Sequence, residues 1–95
     1  MPFSARKYIE EFYEGEEVLI ADDLDDAFIG VGYIFNRPLA VYSIPKAVRL
    51  LMKRDGMTRE DAIEFLEFNT LGAYVGESTP VFLEPVGKDG TPRYR

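Results

Sequence analysis

An unbroken alternation of side chains commits a segment to a sheet, and residues 27–35, AFIGVGYIF, alternate in this way. Ala27, Ile29, Val31, Tyr33 and Phe35 fall on one face, with Phe28, Gly30, Gly32 and Ile34 on the other. The two glycines leave a bare groove on that second face, where a helix is expected to pack closely and a ligand has room to approach. NRP (36–38) turns the chain, and LAVYS (39–43) returns as the second strand of a hairpin.

The segment after the hairpin reads as two capped helices. Ser43 caps the first, Pro45 suits its first turn, Ala47, Val48, Leu51 and Met52 form its inward stripe, and Asp55-Gly56 ends it. Thr58 opens the second, with Asp61 as an acidic variant of the capping-box partner. Ala62, Ile63, Phe65, Leu66 and Phe68 supply its apolar side, opposite Glu60, Glu64 and Glu67.

Before the hairpin, Ser4 and Gly15 bracket a short helix carrying Tyr8, Ile9, Phe12 and Tyr13, and 17–21 (EVLIA) reads as a buried strand. After the helices, 69–80 reads as an ordered loop and 81–86 (VFLEPV) as a last strand. The order α-β-β-β-α-α-β predicts an α+β domain over 1–86. Its small, mostly antiparallel sheet of three or four strands packs against the N-terminal helix and the helical pair. Residues 87–95 read as a flexible basic tail. Open sheet edges allow a homodimer.

With 95 residues there is room for one core, and seven phenylalanines and six tyrosines among 46% hydrophobic residues can fill it. Seventeen acids against eleven bases give a net charge of −6. That balance repels nucleic acid and anionic lipid and steers toward basic partners, so neither direct nucleic-acid binding nor a membrane partner is expected. No apolar run is long enough to span a bilayer, and MPFSARKYIEEF has no signal-peptide pattern. A cytoplasmic location is expected.

The chain has neither histidine nor cysteine. Imidazole bases, histidine-activated nucleophiles, disulfides and the usual zinc ligands are therefore excluded, leaving carboxylate or metal chemistry for any reaction. An enzyme is not the expectation, and no cofactor is expected. The helical pair does not read as a DNA-binding helix-turn-helix, because Arg59 on its second helix faces Glu60, Asp61, Glu64 and Glu67.

Four aspartates, Asp22, Asp23, Asp25 and Asp26, crowd the start of the hairpin. A calcium loop counted from Asp23 needs glycine at its sixth position and glutamate at its twelfth, where Phe28 and Ile34 stand. Aspartates favour turns and guard sheet edges, which gives a structural role, and exposed they form an acidic knob for a partner to grip. The 69–80 loop, with Glu67, Asn69, Tyr74, Glu77, Ser78 and Thr79 beside Gly72 and Gly76, is the second candidate surface.

DDLDDAFIGVGYIF, AVYSIPKAVRLLMKRDGMTREDAIEFLEFN and GAYVGESTPVFL together resemble small hypothetical proteins encoded in bacteriophage and prophage genomes, over about residues 18–84. The resemblance carries no catalytic residue. It implies an accessory phage product acting inside a bacterial cell, of the kind that binds and redirects or inhibits host machinery, defence systems included.

The expected function is non-enzymatic binding of a host or phage protein with a basic surface. The expected binding residues are Asp22, Asp23, Asp25, Asp26, Glu67, Asn69, Tyr74 and Glu77, with Tyr74 as the anchor. A rival reading from another class is a small-molecule or nucleotide-binding domain, Mg²⁺-assisted hydrolysis included. It uses the Gly30/Gly32 groove with Asp23, Asp25, Glu67 and Glu77. A virion structural or assembly protein is the third.

Overall fold

The structure is a computed structural model and describes residues 3–90. Among the described residues its α+β fold has three α-helices, α1 (Ala5–Phe12), α2 (Ile44–Asp55) and α3 (Arg59–Leu66), and three strands, β1 (Phe28–Ile34), β2 (Arg37–Ser43) and β3 (Val81–Leu83). The sheet order is β1-β2-β3. β1 and β2 are antiparallel and β2 and β3 parallel, so the sheet is mixed.

The helix ends follow from local chemistry. Ser4, Ser43 and Thr58 each accept a hydrogen bond from the backbone N–H three residues on, at Lys7, Lys46 and Asp61. Each such cap stabilises its helix by about 1 kcal/mol. Gly56 ends α2 in the left-handed conformation, φ 70°, where a side chain would be strained. Helix α1 stops earlier than Gly15, with Tyr13 as its last half-turn.

The hairpin departs from strict alternation. Phe28 pairs with Tyr42 but Gly30 pairs with Val41, so Ile29 is an extra residue in β1, a bulge. Paired residues point to the same side, which moves Phe28 off the glycine face and onto the face of Val31, Tyr33 and Tyr42. This corrects the expected face assignment and has a clear packing reason. Phe28 thereby lies edge-on to Tyr42, ring centroids 5.5 Å apart, and stacks on Phe3 at 5.6 Å.

Among the described residues no helix fills the glycine groove. A Cβ built at Gly30 meets nothing within 4 Å, and one at Gly32 meets only the Val41 side chain, at 3.1 Å. The close approach that Gly32 permits is to its own partner strand.

Residues 17–21 form no strand. β2 is flanked by β1 on one side and by β3 on the other, so no ladder position beside it remains. The segment is held by one side chain instead: Ala21 N–H donates to the Tyr42 hydroxyl at 2.8 Å, while Val18 and Ala21 pack on the core. Tyr42 is fully buried, stacks on Phe82 at 5.3 Å and joins Leu24, Ala40, Val48, Leu51 and Leu66 in one core.

Two further expectations change. The chain remains helical past Leu66 as a π turn, Glu67–Leu71, before the 72–80 loop begins. Phe68 stands on that turn, 84% exposed, so it is not a core residue, and Phe65 and Met52 also reach solvent. Strand β3 has three residues, with Pro80 directly before it and Pro85 just beyond Glu84, neither having an N–H to donate to a ladder.

Residues 87–90 form a turn, closed by Gly90 N–H donating to the Gly87 carbonyl. The rest of the expected basic tail, 91–95, lies outside the described residues. Among the described residues, no helix is long and apolar enough to cross a membrane.

Candidate functional site

The tip of the hairpin is a two-residue turn, Phe35-Asn36, that joins Ile34 to Arg37. Phe35 adopts φ 54°, in the left-handed region, and its side chain is 97% exposed. Turns of this length favour asparagine or glycine there, because a Cβ followed by a bulky ring costs about 1 kcal/mol. The ring recovers nothing of that cost by burial. It stands beside Ile34, which is more than half exposed.

Behind the tip lies an open cleft of about 730 Å³, lined by Glu16, Glu17, Phe35, Arg37 and Glu77 among others. Its polar groups are linked. Ser78 is buried; its hydroxyl donates to Glu17 Oε1 at 2.8 Å and accepts from Arg37 Nη1 at 3.3 Å. Arg37 Nη2 donates to Glu77 Oε2 at 2.9 Å. Glu16, Glu17 and Glu77 against Arg37 leave the cleft with an acid excess, so the group it attracts is an ammonium or guanidinium.

The aspartate turn is built differently. Asp22, Asp23 and Asp26 are exposed and Asp25 is half-buried, wrapped around a buried Leu24. Ala27 N–H closes the turn on the Leu24 carbonyl at 2.9 Å, and Asp23 takes a left-handed φ of 63°, which aspartate tolerates. Arg54 reaches over from the end of α2, donating to the Asp23 carbonyl and to both oxygens of the neighbouring Asp55. The Arg54 bond holds the Asp55 carboxyl below its usual range, while Asp55 first, then Asp23 and Asp26, favours the charged guanidinium. The turn thus wraps a core plug, and two of its aspartates, Asp23 and Asp26, lie near enough to Arg54 to favour its charge. Burial pushes the nearby Tyr42 hydroxyl up, opposed by its Ala21 backbone bond and reinforced by Asp25 and Asp22.

The remaining expected site residues are dispersed. Asn69 and Asp22 share a second cleft, about 370 Å³, with Thr70, Thr79 and Phe82. Asn69 Nδ2 donates back to the Phe65 carbonyl, securing the π turn. Glu67 is exposed on that turn, and Tyr74 is 76% exposed on the loop beyond it. Glu77 alone joins the hairpin cleft. Among the described residues no group of three or more acidic side chains is placed to hold a metal ion, so Asp23, Asp25, Glu67 and Glu77 do not form the ligand set of the rival reading.

Sequence reasoning passed over Phe35, Glu17 and Arg37, and placed Ser78 only on the 69–80 loop, not beside Glu17 and Arg37. Only Phe35 carried a local signal, as a large aromatic beside the residues that turn the hairpin. Comparison with protein-family models, with curated proteins and with solved structures finds no match.

Proposed function

We propose that this protein is a non-enzymatic binding protein that grips a basic surface of a partner protein through its hairpin tip. Phe35 is the apolar anchor, and Glu16, Glu17 and Glu77 receive lysine or arginine side chains beside it. The observation that carries the reading is Phe35 itself: an almost fully exposed ring at a backbone angle that disfavours it. Such a residue weakens the fold and earns its place by contacts outside it. Aromatic anchors next to charged rims are what concentrated binding energy requires.

Within this reading the aspartate turn contributes long-range steering, and the anchor moves from Tyr74 to Phe35. The partner class, a host or phage protein met inside a bacterial cell, rests on the resemblance to phage-encoded proteins.

Phe35→Asn separates binding from folding. Asparagine accepts the turn geometry, so the variant should be more stable by roughly 0.5–1 kcal/mol. The test is capture from a bacterial lysate on immobilised protein, followed by affinity measurement with the captured partner. Wild-type protein should retain a basic partner in a salt-sensitive manner, and Phe35→Asn should lose it. Equal retention by both forms, or no retained protein, overturns the reading.

A further inference from the structure

We infer that the outer edge of β1 pairs antiparallel with the same strand of a second copy, about a two-fold axis at Gly32. The register identifies which backbone groups are free to do this. Pro38 has no N–H, so its pair with Tyr33 is a non-hydrogen-bonded one. Alternation then makes Ile34–Arg37, Gly32–Leu39 and Gly30–Val41 the bonded pairs. The N–H and C=O groups of Val31 and Tyr33 consequently point away from β2. Among the described residues no strand pairs with that side of β1.

The two edges of the sheet are guarded unequally. β3 is three residues long, with Pro80 directly before it and Pro85 just beyond Glu84. β1 runs for seven residues, Phe28–Ile34, with no charge and no proline. Edge strands that remain single ordinarily carry such blocks, because a bare ladder recruits another strand. The bulge at Ile29 ends the regular part of this ladder at Gly30, which fixes the pairing length.

The regular run is complementary to itself. With Gly32 opposite Gly32, Val31 meets Tyr33 of the second copy on both sides of the axis, a β-branched and aromatic pair of the favoured kind. Gly30 lies opposite Ile34 of the second copy. That places a side chain now more than half exposed over a position where a Cβ would touch nothing. Glycine at the axis lets the two backbones approach where non-bonded pairs are closest. The interface uses backbone at the strand edge and is independent of the hairpin tip.

Sedimentation over a wide protein concentration range tests the pairing, together with amide exchange on the unaltered protein. The dimer fraction should rise with concentration, and the Val31 and Tyr33 amides should exchange more slowly as it does. Tyr33→Pro removes one outward N–H from each copy without touching a bond to β2, and should weaken association roughly thirtyfold. Tyr33→Thr, which keeps the N–H, should still dimerise. A monomer at every concentration, concentration-dependent protection elsewhere than β1, or Tyr33→Pro dimerising like wild type would each overturn the inference. The exchange measurement stands even if the proline variant fails to fold.

Discussion

Two acidic regions of this protein look alike as lists of residues and differ as structures. The aspartate turn draws all its charge from five consecutive residues, 22–26, yet it encloses Leu24 and is straddled by Arg54. The hairpin cleft draws its carboxylates from the neighbouring Glu16 and Glu17 and from the distant Glu77, and gathers them around one arginine and one buried hydroxyl. Density along the chain made the first conspicuous. Convergence in space makes the second a place where a charged group of another molecule can be received.

The comparison can be broken most severely at Leu24. If the turn is chiefly a clamp on the core, Leu24→Ala should cost about 3 kcal/mol in urea unfolding, the usual penalty for emptying a buried leucine site. A loss below about 1 kcal/mol would mean that the aspartates, not the plug, define the turn. Ser78→Ala addresses the other region. Its Oγ serves both Glu17 and Arg37, but those partners reach solvent and regain water, so the expected loss is nearer 1 kcal/mol. The same variant should weaken partner binding more than it weakens the fold, because it frees the side chains that shape the cleft.

The smallest effect concerns pH. Asp55 has a folded-state pKa below its unfolded value through its bond to Arg54. Its contribution is therefore complete above the ordinary carboxylate range and disappears as pH falls through the lowered folded value. Asp55→Asn should flatten that acid limb slightly in pH-dependent melts and leave neutral stability almost unchanged, since the pair is exposed. An unchanged acid limb would show that Arg54 answers mainly to the Asp23 carbonyl.

Much of the fold was legible because its signals are local. Ser43, Pro45, Gly56 and Thr58 mark the helical pair, and each does at its position what its chemistry dictates. The bulge was not legible: Ile29 is an ordinary strand residue, and only the need to bring Phe28 against Tyr42 makes it surplus. EVLIA was misread because a short apolar run has no period to distinguish a paired strand from an extended segment held by a tyrosine hydroxyl. The cleft was hidden for a related reason. Ser78 finds Glu17 across 61 positions, and nothing near either residue announces the other. Glu77 was singled out as part of the 69–80 loop, and its place opposite Arg37 depends on the hairpin register.

The parallel junction of β2 and β3 has a consequence for how the protein is made. A ribosome delivers the hairpin first, and everything from α2 through the 72–80 loop must follow before Val81–Leu83 can dock beside Val41–Ser43. During that interval the middle strand lies open along its C-terminal half, with Tyr42 uncovered by Phe82. Native closure of this sheet is thus a late event relative to the hairpin, and the nascent chain is most vulnerable to sticking just before Val81–Leu83 leaves the exit tunnel.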